Sequence, residues 1–97
     1  MGVVWPVKLR YTRQAARQIK AALDYVAERS PRGARSVRDR LEELEALLKD
    51  QPYAGHVTDR PGVRRLAALP YPYLIDYRAD AGEIVIFRFR HASRRRA

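Results

Sequence analysis

Tyr25-Val26-Ala27-Glu28-Arg29-Ser30-Pro31-Arg32-Gly33-Ala34 is the stretch on which the fold turns. Serine is a preferred helix N-cap, and proline is favoured at the first helical position, where its missing N–H costs nothing. Ser30-Pro31 therefore predicts a helix that starts where another has just ended. Upstream, Ala15/Ala16, Ile19, Ala22/Leu23 and Val26 recur at three- and four-residue steps behind Thr12, itself a good N-cap. That pattern predicts an amphipathic helix of about four turns, with Arg13, Arg17, Lys20 and Asp24 on its other side. Downstream, Ala34, Val37, Leu41, Leu44 and Leu48 make the apolar stripe of a second helix from Pro31 to about Lys49, with Leu47 beside it. Arg38, Asp39, Arg40, Glu42, Glu43 and Glu45 form its wet face, and Pro52 ends it. A connection this short predicts an antiparallel helical hairpin.

On the N-terminal side of the hairpin, Val7, Leu9 and Tyr11 alternate with Lys8 and Arg10, the period of a half-buried strand, with Pro6 at its start or edge. On the other side, Gln51 to Gly62 holds Pro52, Gly55, Asp59, Pro61 and Gly62 and reads as a loop. Three strands follow: Val63 to Leu69, Tyr73 to Arg78 and, after a tight turn at Asp80-Ala81-Gly82, Glu83 to His91. In the last, Val85, Phe87 and Phe89 are expected to face the helices, and Ile84, Ile86, Arg88 and Arg90 the opposite side. The expected class is α+β: a helical hairpin packed on one face of a four-stranded antiparallel sheet, in the order β-α-α-β-β-β.

The 97 residues fit one domain, 1–97, with 92–97 expected to form a flexible basic tail. Without cysteine there is no disulfide framework, thiol nucleophile or thiolate metal site, and two histidines far apart argue against a metal centre. The first nine residues lack a basic leader, and no apolar run approaches the ~20 residues of a membrane span. The expectation is a cytoplasmic protein without cofactor, metal or membrane partner. Its charge is informative: 20 Lys/Arg against 11 Asp/Glu give +9. Residues 1–38 carry nine basic and two acidic groups, residues 39–59 two and six, residues 60–97 nine and three. The basic excess sits at the two ends of the chain and favours an anionic partner: nucleic acid, a ribosome or an acidic polypeptide.

Several runs together resemble a known family. They are Tyr11-Thr12 with Ala15-Ala16, Ile19, Leu23, Tyr25-Val26 and Ser30-Pro31, and then Leu48, Pro52 and Gly55. The strongest are Val63-Arg64-Arg65-Leu66, Pro72-Tyr73-Leu74-Ile75-Asp76-Tyr77-Arg78, and Ile84 to Arg94 with its closing His-x-x-Arg. No one motif is specific, but the ordered set, over nearly the whole chain, resembles the RelE/ParE toxin superfamily in its ParE-like, plasmid-stabilisation branch. The resemblance implies the toxin of a type II toxin–antitoxin system, neutralised by a cognate antitoxin. ParE-type members inhibit DNA gyrase; RelE-type members cut messenger RNA in the ribosome. RelE-type enzymes also use a lysine-rich segment after the helices and a tyrosine near the C-terminus. Here Asp50 to Gly62 has His56 and no lysine, no tyrosine follows Tyr77, and Ala92 follows His91. The ParE-like branch fits better.

The expected target-binding residues are Arg64, Arg88, Arg90, His91 and Arg94, and the expected antitoxin-binding residues Arg17, Lys20, Arg64, Tyr73 and Arg88. Were the chain a metal-independent ribonuclease instead, Arg64, His91 and Arg94 would stabilise charge and move the proton. A third possibility is a degenerate, non-toxic member that binds only its antitoxin or nucleic acid. Structural roles stand beside these: His91 as a hydrogen-bonding strand end, His56 as a solvated loop residue, Arg64 paired with Asp76 across the sheet, Tyr71, Tyr73 and Tyr77 as packing, and Arg94 to Arg96 as a frayed tail.

Overall fold

Ser30 does double duty at the centre of the chain. Its backbone N–H donates to Val26 O at 2.8 Å, closing the helix α1 (Arg13–Arg29), while its hydroxyl accepts from Gly33 N at 2.9 Å, opening α2 (Pro31–Asp50). Gly33 gives room for this: a Cβ there would stand 3.1 Å from the Ser30 hydroxyl and 3.4 Å from a Val26 methyl. Thr12 caps α1 in the same way, accepting from Ala15 N at 3.1 Å. The computed structural model describes residues 7–93, so Pro6 and the Arg94 to Arg96 tail lie outside the described residues.

Around the hairpin, β1 (Lys8–Tyr11), β2 (His56–Val57), β3 (Arg64–Ala67), β4 (Tyr73–Asp80) and β5 (Glu83–His91) form one sheet in the order β1-β5-β4-β3-β2. The core lies between one sheet face and the helices. Val37, Leu41, Leu44 and Leu48 of α2 and Ala15 of α1 are buried against Val7, Tyr73, Ile75, Tyr77, Ile84, Ile86 and Phe89. The stripe read from the α2 sequence is the buried stripe. Tyr11 donates a hydrogen bond to the Glu45 carboxylate, tying β1 to α2. No described helix is long and apolar enough to cross a membrane.

The sheet departs from expectation in three ways. It is mixed, because β1 runs parallel to β5, pairing Lys8 with Glu83 through Tyr11 with Ile86. Strands β2 to β5 form an antiparallel meander, and between β1 and its parallel neighbour β5 the chain passes through both helices and then β2 to β4. It has a fifth strand, β2, inside the segment expected to be a loop. Both of its residues are exposed, so backbone pairing to Arg64 and Arg65 defines it, without any apolar alternation to announce it.

The third departure matters most. The turn at Ala81 (φ 51) and Gly82 (φ 78) sets Asp80 opposite Glu83, and the register runs evenly to Tyr77 opposite Ile86. Asp76 then faces Arg88, not Phe87, so Phe87 is the extra residue of a β-bulge. Because side chains alternate with period two, one extra residue exchanges the faces beyond it. Ile84 and Ile86 therefore point at the helices, contrary to expectation, and Val85 and Phe87 point away. Beyond the bulge Phe89 joins the core, as expected, and Arg88 and Arg90 lie on the open face.

Two stability tests follow. Ser30→Ala removes the cap of α2 and should cost about 1 kcal/mol in denaturant unfolding. Burial, with the Glu45 hydrogen bond, raises the Tyr11 pKa, and burial raises that of Tyr77, both from an ordinary 10.0. The folded state thus holds the phenol proton more tightly than the unfolded chain. This stabilisation is complete below pH 10 and disappears as pH climbs above it. The denaturation midpoint should fall as pH rises from about 10 to 12, and fall less in Tyr11→Phe.

Candidate functional site

Asp76 is an acidic residue in the middle strand of the sheet, with a side chain only 3% exposed. A carboxylate so placed needs cationic partners, and the register supplies one from each neighbouring strand. Arg65 on β3 donates from Nε at 2.7 Å and from Nη2 at 3.3 Å, a two-point clamp. Arg88 on β5 donates from Nη1 at 3.4 Å. The Asp76 hydrogen bond raises the Arg65 pKa, fixing the guanidinium in its charged form. The bulge thus gives Asp76 its second arginine: without it, Phe87 would occupy that position.

The displaced Phe87 ring is itself used. Arg78 lies over it at 4.9 Å from ring centroid to guanidinium carbon, and Arg60 at 5.7 Å. The alternation of β1 and β5 adds Lys8, Arg10 and Arg90 to the same open face, with Arg10 paired to Glu83 at 2.9 Å. A cationic surface therefore covers the sheet on the side away from the helices.

The other candidate residues fall elsewhere. Arg64 sits opposite Tyr77, on the helix side. It does not pair with Asp76, which Arg65 takes. Its Nη1 donates to Gly55 O at 2.9 Å and Tyr53 O at 3.2 Å, with its guanidinium 5.1 Å from the Tyr53 ring centroid. The fully buried Tyr77 completes this latch, donating to Pro52 O at 2.9 Å and accepting from Gly55 N at 2.8 Å. A Cβ at Gly55 would stand 2.7 Å from the Tyr77 ring, so the loop closes only over a glycine. His91 pairs with Tyr73, four residues along β4 from Tyr77 and about 13 Å away. Its Nδ1 accepts from Ser93 N at 3.1 Å and lies 2.7 Å from Ser93 Oγ. Since a backbone N–H only donates, Nδ1 is an acceptor and the ring proton sits on Nε2. The structure thus places Arg64 and His91 on the helix side, far apart, with Arg88 and Arg90 on the open side. Arg94 lies outside the described residues. His56 is exposed on β2. No group of His, Cys, Asp and Glu among the described residues could hold a metal ion.

A second surface lies beside His91. β1 stops opposite Ile86, where Thr12 N donates to Ile86 O at 2.9 Å, and α1 leaves the sheet there. Beyond that point no strand among the described residues covers this side of β5. Gln18 Oε1 accepts the Phe89 N–H at 2.8 Å, and an open groove of about 890 Å³ runs between α1 and the strand. Gln14, Ala21, Tyr25, Tyr73, Arg88 and His91 line it. Tyr25 is 59% exposed, under the Arg29 guanidinium at 3.8 Å. Arg17 is exposed on α1, and Lys20 there is paired to Asp24 at 2.8 Å.

Sequence reasoning missed Arg65, Arg60, Arg78 and Phe87 as parts of one surface. One signal was available: an aspartate inside Tyr-Leu-Ile-Asp-Tyr needs a cation directly across, which in an antiparallel pair points to one arginine of Arg64-Arg65. Arg65→Ala should destabilise the fold by about 2–3 kcal/mol, because it leaves a buried carboxylate with one long contact. Arg88→Ala, which removes only that long contact, should cost less in the same urea titration.

Comparison with known proteins gives a consistent result. Residues 9–96 match the family model described as "ParE toxin of type II toxin-antitoxin system, parDE". The chain is 33% identical over 92 residues to a Caulobacter vibrioides protein described as Toxin RelE2, covering 95% of this chain and 96% of that one. Among solved structures, a chain of a chromosomal ParDE system from P. aeruginosa superposes with a TM-score of 0.79 at 26% identity, covering 91% of this chain and 98% of that one. The fold is also shared with a chain of the E. coli DinJ-YafQ complex, at a TM-score of 0.64 and 16% identity, over 89% of this chain and 92% of that one. A chain of the RelBE2 complex from Mycobacterium tuberculosis gives 0.61 at 24% identity, over 89% and 98%.

Proposed function

The chain belongs to the ParE toxin family of type II toxin–antitoxin systems, and from that membership we propose that it arrests growth by binding and inhibiting DNA gyrase until a cognate antitoxin captures it. The observation that carries the inhibitory reading is the open sheet face. Arg65 and Arg88 are fixed by Asp76, and Arg60 and Arg78 by Phe87, so the surface presents oriented guanidiniums to a large anionic partner. Ribonuclease chemistry by Arg64 and His91 fits this chain less well. Arg64 is committed to the Tyr53 and Gly55 carbonyls, and His91 stands about 13 Å along the sheet with Nδ1 occupied.

The groove between α1 and β5 suits the antitoxin. It has an uncovered strand flank, an aromatic side chain in Tyr25, and basic groups at Arg88 and Arg90. An amphipathic, acidic segment laid along it would bury apolar area and pair charges at once. Of the five expected antitoxin contacts, Arg17 and Lys20 are exposed on α1 outside the groove lining, whereas Tyr73 and Arg88 line it. Arg64 does neither, since it lies across the sheet.

In a supercoiling assay the purified toxin should block gyrase, and adding the antitoxin should restore it. New cleavage ends on cellular mRNA after toxin expression, with supercoiling untouched, would replace gyrase by the ribosome. Ala21→Arg, which fills the groove without touching the open face, should leave gyrase inhibition intact and weaken rescue by the antitoxin at least tenfold.

A further inference from the structure

The guanidiniums of the open face are held from within the protein. Asp76 orients Arg65 and Arg88, and the Phe87 ring orients Arg60 and Arg78. Side chains already ordered lose less entropy when they bind, so such an array favours a partner with repeated anionic groups. Arg65 and Arg88 spring from strands two steps apart, about 10 Å, and Arg78 from two residues further along β4, about 7 Å. That spread matches a polyanion with one charge per ~1.7 Å of axis better than a single carboxylate or phosphate.

The face also lacks what a single-stranded ligand needs. Single-strand sites pair a basic track with exposed aromatic rings on which bases stack. Phe87 is the aromatic residue of the described strands that faces this side, and arginines cover its ring. Tyr11, Tyr73, Tyr77 and Phe89 pack into the helix-side core. We propose that the open sheet face binds the sugar–phosphate backbone of duplex DNA directly, through Arg60, Arg65, Arg78 and Arg88, without reading base sequence. Such binding is a property of the toxin alone and goes beyond inhibition of gyrase. It would let the toxin grip the DNA on which a topoisomerase acts.

The test is fluorescence anisotropy of the full-length toxin with a labelled short duplex and with one of its single strands, from about 50 to 200 mM salt. The duplex should bind more tightly, with log affinity falling linearly in log salt. Arg60→Ala and Arg78→Ala should each weaken binding on every duplex sequence and flatten the slope by about 1. Phe87→Leu keeps the charge but frees the two arginines, so affinity should drop several-fold at an unchanged slope. Arg32→Ala and Arg35→Ala remove equal charge from the exposed start of α2 and should leave affinity unchanged. Circular dichroism melting confirms that each variant is folded. Equal losses from the α2 and sheet variants, or tighter binding to the single strand, would overturn the proposal. Gyrase inhibition by a toxin that fails to bind duplex would also overturn it while leaving the gyrase reading intact. Duplex binding without gyrase inhibition would sustain it and reject that reading.

Discussion

A carboxylate inside a β-sheet imposes a demand that the rest of the sheet must meet, and Asp76 is such a carboxylate. Burying an unpaired charge would cost several kcal/mol, a large part of the stability of a domain this small. Arg65 arrives opposite it through the plain antiparallel register of β3 and β4. Arg88 arrives only because β5 carries one residue more than β4 needs. That residue, Phe87, changes the parity of the strand. Before it, Ile84 and Ile86 feed the core; after it, Phe89 does, while Arg88 and Arg90 go to the open side. One bulge thus both satisfies the buried anion and separates an apolar face from a cationic one.

The two sides of the sheet then carry different work. The helix side holds the fold, through the α2 stripe, the Tyr11–Glu45 bond and the latch of Tyr77 and Arg64 on the 52–55 loop. The open side has no layer above it among the described residues and presents ordered arginines. Between them, where β1 ends early, the flank of β5 and the exposed face of α1 leave a groove. The open face and the groove share Arg88 and Arg90 at their border and otherwise draw on different residues.

Much of this was legible in the sequence wherever the signal is local. Ser30-Pro31 located the hairpin because capping chemistry acts within three residues, and the five apolar positions of α2 were all found buried. Asp80-Ala81-Gly82 located the turn, and β5 was bounded correctly at Glu83 and His91. What escaped depends on other parts of the chain. The direction of β1 is settled by its distant partner, and β2 is defined by the backbone of β3. The bulge at Phe87 is not marked by glycine or proline, so alternation was carried straight through it and Ile84 and Ile86 were put on the wrong face. The site suffered the same way. Arg88 and Arg90 were assigned to the open side, but Arg64 was chosen over Arg65, one residue that decides which side of the sheet an arginine occupies.

The separation of faces is the claim on which the functional reading stands, and the nuclear Overhauser contacts of the Phe87 ring test it most directly. Its aromatic protons should show contacts to the side chains of Arg78 and Arg60 and none to the methyls of Leu41 or Leu44, with Asp76 lying opposite Arg88 across the strands. Contacts from Phe87 to those leucines, with Asp76 opposite Phe87, would mean an unbroken strand, a buried carboxylate short of one arginine, and no cationic face of the kind described.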